Sequence, residues 1–121
     1  MTYTLDTVRE AIQRGDAEYV QKALESGFDP NVQDSKLCTP LIFAAEFQNP
    51  AIVRLLLAHG ADPLHKDSGG YNASDVAAFS GEWRMGAYTD ESVEIQAILK
   101  AHIDSPNVGL FAWLKRVFLT S

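Results

Sequence analysis

The chain has 121 residues, 46% of them apolar, and a formal net charge of −6 from sixteen acidic and ten basic side chains. That length suits one domain, which buries roughly two-thirds of its unfolded surface. The negative charge disfavours a nucleic-acid partner, the lone Cys38 rules out an intrachain disulfide, and no apolar run is long enough to cross a bilayer.

One cysteine fits a reducing compartment. Met1 to Glu10 has no apolar core of the kind a signal peptide needs, so the expected setting is cytoplasmic.

In chain order, the first segment, about 4–36, introduces a pattern that returns after thirty-three residues. Ala11 falls on Ala44 and Ala77, Val20 on Val53, and Leu24 on Leu57. Gly27, Asp29 and Pro30 fall on Gly60, Asp62 and Pro63, and Asp34 falls on Asp67. This segment places Arg9, Gln13, Arg14, Gln21 and Lys22 where a stacked face would be apolar, as expected of a unit capping the N-terminal end.

The second segment, about 37–69, carries the clearest local signals. Thr39-Pro40 predicts a helix start, with Thr as cap and Pro in the first turn, and Asn49-Pro50 predicts another. The helix over Ala51 to Ala58 is crowded with Ile52, Val53, Leu55, Leu56 and Leu57, so it is expected to be buried on most sides. Gly60 suits the left-handed position that ends it, and Lys66 to Gly70 form a polar tip. Each unit is thus two short antiparallel helices and a projecting turn, which must stack on neighbours to bury its apolar face. The small pairs Ala44-Ala45 and Ala77-Ala78 suit close helix packing.

The third segment, about 70–104, is longer. The leucine matching Leu57 is Leu99 rather than position 90, so nine residues are inserted near Glu82 to Asp90, between the two helices. A helix is expected from about Asp90 to Ala101, with Val93, Ile95, Ile98 and Leu99 facing inward. A last helix, about 105–119, starts at Ser105-Pro106. Leu110, Phe111, Leu114, Val117 and Phe118 make an apolar face that would cap the C-terminal end. If Trp113 points outward, the same helix could dimerise, although a monomer is the expectation.

Chemistry-bearing residues are sparse. Cys38 with His65 as base lacks an evident oxyanion hole. His59, His65 and His102 lack close ligand spacing. Asp67-Ser68-Gly69-Gly70 has no lysine at phosphate-loop spacing. Asp90, Glu91 and Glu94 suit the positive end of a helix dipole. No catalytic residue, metal or cofactor is expected.

The chain resembles the ankyrin-repeat family. The resemblance is carried by Thr39-Pro40-Leu41, Ala44-Ala45, Ile52-Val53-Arg54-Leu55-Leu56-Leu57 and Gly60-Ala61-Asp62-Pro63, with the matching period. It departs from the family pattern at Ile42, usually His, and at Gln48-Asn49, usually Gly-His. The resemblance implies an all-α solenoid of antiparallel helix pairs with projecting β-turn tips, in a single domain over 1–121. It also implies a non-enzymatic module that binds proteins on a concave face. By position, that face comprises tips at Ser35, Lys36, Cys38, Ser68, Gly69 and Tyr71, and first-helix residues Glu46, Phe47, Phe79 and Ser80.

Phe47, Tyr71 and Phe79 are aromatics that the core of such a fold does not require, and aromatics there suit interface anchors. The insertion adds Trp83, Met85 and Tyr88 beside them. Glu46, Glu82 and Asp90 would ring this patch and favour a basic partner, with Lys36 and Arg84 diluting the field. The expected role is a small adaptor or inhibitor. The alternatives are an immunity-type inhibitor of a toxin enzyme, and an accessory ligand-binding protein with the insertion as a pocket lid.

Overall fold

The computed structural model describes residues 3–85 and 90–104, with 81–85 described by backbone only. Among the described residues every regular element is a helix: α1 (Leu5–Arg14), α2 (Ala17–Glu25), α3 (Pro40–Glu46), α4 (Pro50–Ala58), α5 (Ala73–Met85) and α6 (Asp90–Asp104).

Local side chains set where the helices begin. The Thr39 hydroxyl accepts from the Ile42 N–H at 3.4 Å, and Asn49 Oδ1 from the Ile52 N–H at 3.1 Å, each followed by Pro in the first turn. Asp16 caps α2 by accepting from the Tyr19 N–H. Thr4 and Thr7 cap α1 reciprocally, and so do Asn72 and Asp75 at α5: Asn72 Oδ1 accepts from the Asp75 N–H at 3.0 Å, while the Asn72 N–H donates back to Asp75 at 3.1 Å.

The six helices form two layers. α1, α3 and α5 pack side by side in one, α2, α4 and α6 in the other, and each first helix packs on its following partner. The core lies between the layers. Val8, Ala11 and Ile12 of α1 meet Leu41, Ala44 and Ala45 of α3, and Ala77 continues the row in α5, all essentially inaccessible to solvent. Alanine recurs here because the first helices lie close together, where longer side chains would not fit. On the other layer Val20, Ile52, Val53, Leu56, Ile95 and Leu99 fill the seam.

Polar groups tie consecutive pairs together at fixed height. Asn31 Nδ2 donates to the Gly60 carbonyl at 3.1 Å and its Oδ1 accepts from the Asp62 N–H at 2.8 Å. Gln48 Nε2 donates to the carbonyls of Ala45 and Ala77, both at 3.0 Å.

Three expectations need correction. Val93 faces solvent, 56% exposed, and Ser92 takes the inward position and donates to the Ala77 carbonyl at 2.9 Å. With Ser92, Ile95 and Leu99 buried, the inner stripe follows helical spacing and leaves Val93 off it. The insertion does not start as a connection between helices. In the first two pairs the first helix ends at a left-handed residue, Gly15 (φ 75°) or Gln48 (φ 58°), yet α5 continues through the matching Gly81 to Met85. Finally, α6 runs to Asp104, past the expected Ala101. The proposed capping helix at 105–119, with Trp113, lies outside the described residues.

Candidate functional site

Two aspartates build the projecting tips in the same way. Asp34 Oδ1 accepts from the N–H groups of Lys36 and Cys38, both at 2.9 Å, and the Asp34 N–H donates to the Cys38 carbonyl at 3.1 Å. Asp67 Oδ1 accepts from Gly69 at 2.9 Å and Tyr71 at 3.0 Å, and the Asp67 N–H donates to the Tyr71 carbonyl at 2.9 Å. A short carboxylate on the first residue of a turn is suited to gather these donors. The fourth tip residue is left-handed in both turns, Leu37 with φ 61° and Gly70 with φ 84°.

The tips are also bonded to each other. The Ser68 N–H donates to the Lys36 carbonyl at 2.9 Å, and His65 Nε2 lies 2.7 Å from the Leu37 carbonyl. His65 therefore serves the tip framework and is not aimed at the Cys38 thiol as a base.

Between the tips and the first-helix layer runs a groove of about 460 Å³. Asp34, Ser35, Lys36, Cys38 and Asp67 line it from the tips; Ile42, Phe43 and Glu46 come from α3; Val76, Phe79 and Ser80 come from α5. Arg9 reaches in from α1, its guanidinium 5.1 Å from the centre of the Phe43 ring. This placement was missed in the sequence, where Arg9 reads as one more polar residue of a capping unit. Its register, thirty-three residues before the groove-lining Ile42, is the signal that could have found it.

Of the residues singled out earlier, Lys36, Glu46 and Phe79 line the groove. Tyr71 stands edge-on to Phe79, centroids 5.1 Å apart and planes at 87°, and both remain exposed, at 45% and 43%. Phe47 differs from expectation. It is half-buried against the core, and its N–H closes α3 on the Phe43 carbonyl at 2.9 Å. Trp83, Arg84 and Met85 have their backbone in α5, but their side chains, and Tyr88 altogether, lie outside the described residues.

Burial pushes the Cys38 thiol up from its ordinary range, and the carboxylates of Asp34, Asp67 and Glu46 push it further, against the opposing pull of Lys36. A thiol held protonated is a weak nucleophile. What the groove supplies is shape, negative field and exposed ring surface. A second depression of about 370 Å³ lies at the end of the third pair, between Asn72, Ser74, Gln96, Lys100 and Ile103. No helix among the described residues is long and apolar enough to cross a membrane.

The model of the family described as ankyrin repeats (3 copies) matches residues 8–88. A 2-5A-dependent ribonuclease of Homo sapiens is 36% identical over 77 residues, which is 63% of this chain and 10% of that protein. An ankyrin repeat-containing protein of Treponema pallidum is 37% identical over 68 residues, 56% of this chain and 23% of its own length. Dauer abnormal formation protein 25 of Caenorhabditis elegans is 34% identical over 95 residues, 78% of this chain and 24% of its own. The chain thus spans a quarter or less of these relatives.

Proposed function

The chain belongs to the ankyrin-repeat family, whose repeats mediate protein–protein interaction, and from that premise we propose that it is a non-enzymatic binding module that holds a partner protein in the concave groove. The observation that carries this reading is the groove itself. Residues from three successive first helices and two tips converge on it, and the Tyr71–Phe79 pair stands exposed at its edge. A pair of rings left open to water by a folded chain is suited to anchor a partner. In this reading Lys36, Glu46, Tyr71 and Phe79 contact the partner, and Trp83, Arg84, Met85 and Tyr88 of the insertion extend the contact past α5.

The net charge of −6 supports the finer role of a small inhibitor or adaptor acting on a positively charged protein. An immunity-type inhibitor that occludes a basic enzyme surface is one form of it. The lone cysteine supports a reducing, cytoplasmic setting. Affinity capture tests the reading. Wild type is expected to retain a protein that the Phe79→Ala/Trp83→Ala variant loses; retention with unchanged affinity would exclude the concave face as the binding surface.

A further inference from the structure

The two tip carboxylates are held in place by their own turns. Each uses Oδ1 for two backbone N–H groups, and among the described residues neither Oδ2 has a hydrogen-bond partner. Such an oxygen is fixed before any ligand arrives, so little side-chain freedom is lost on binding.

Charge in the groove is unbalanced. Asp34, Glu46 and Asp67 all line it, and among the described residues none of them is in an ion pair. Of the two cations present, Arg9 lies over the Phe43 ring and Lys36 sits on the exposed tip. The three carboxylates together outweigh Lys36 at the Cys38 thiol, whose ionisation burial and these charges oppose. The lining thus carries three carboxylates against two cations, an excess of one negative charge.

The α5 wall carries Val76, half-buried, and Phe79, met edge-on by Tyr71, beside Ser80. A purely charged ligand would leave this wall wet. A purely apolar one would cover carboxylates without pairing them, which is costly.

We infer that the groove receives a partner segment in which one Arg or Lys stands beside an apolar residue, the cation among Asp34, Glu46 and Asp67 and the apolar side chain against Val76 and Phe79. This rests on the concave-face reading above and adds the chemistry of what enters.

A displayed library of random peptides, panned on the immobilised chain, tests it. The control is Asp34→Asn/Asp67→Asn, which keeps the side-chain oxygen that each turn needs and removes only charge. Circular dichroism melting verifies its fold. Selected peptides are scored by whether they protect Cys38 from iodoacetamide. Protecting peptides are expected to be enriched in Arg or Lys next to aliphatic or aromatic residues. They should bind the double variant about three- to twenty-fold more weakly and weaken with added salt. Protecting peptides without that enrichment, rich in Asp or Glu, or indifferent to the double variant would overturn the cation assignment and leave the concave face standing. Peptides that bind without protecting Cys38 would overturn both, and the absence of binders would overturn the inference.

Discussion

At Leu37 a branched side chain occupies a left-handed backbone position, φ 61°, that its counterpart Gly70 adopts freely. The side chain is 44% exposed, so its partial burial offsets only part of the strain. Leu37→Gly is therefore expected to stabilise the chain by at most about 1 kcal/mol, the usual left-handed cost less the entropy that glycine loses and the burial that leucine gives up. A rise in urea midpoint at constant slope would show it. Gln48 is equally left-handed, at φ 58°, but its amide bonds two carbonyls across neighbouring helices. Gln48→Gly should relieve strain yet lose those bonds, and so should not raise the midpoint. Cys38 gives a second test. Asp34→Asn or Asp67→Asn removes a charge that raises the thiol, so more thiolate exists at a given pH and alkylation should speed up. An unchanged rate would mean that burial alone sets the thiol, and a slower one would contradict the effect assigned to the carboxylates.

The helices show which signals were legible. Thr39-Pro40 and Asn49-Pro50 mark α3 and α4 because capping is local chemistry written in adjacent residues. Thr39 is buried as well as capping, so Thr39→Ala should cost about 1 kcal/mol or somewhat more in thermal or urea unfolding. Phase was harder to read. Val93 looks inward by apolarity, yet Ser92 occupies the buried stripe of α6 by hydrogen-bonding the Ala77 carbonyl, a partner fifteen residues away that no local pattern shows. The length of α5 was also hidden. Gly81 stands where the first two pairs break, but glycine permits a break without enforcing one, and the helix continues to Met85. Asn31 spans two pairs, so Asn31→Ala should lower stability by about 1–3 kcal/mol through the loss of both bonds.

Across the whole molecule, the repeat fixed the architecture and left the groove only half visible. A thirty-three-residue register aligns Asp34 with Asp67 and Ala11 with Ala44 and Ala77, which is enough to order the helix pairs and their tips. It does not say that Arg9 crosses to the Phe43 ring or that Phe47 folds back on the core, since those depend on how neighbouring units meet. The central claim is that the concave groove is where a partner sits, and Cys38, the chain's one thiol, lies in it. The most direct measurement is the rate at which iodoacetamide modifies Cys38 in the free chain and in the chain saturated with its captured partner. The groove reading predicts a rate that falls in step with occupancy; a saturated complex that is modified as fast as the free chain would contradict it.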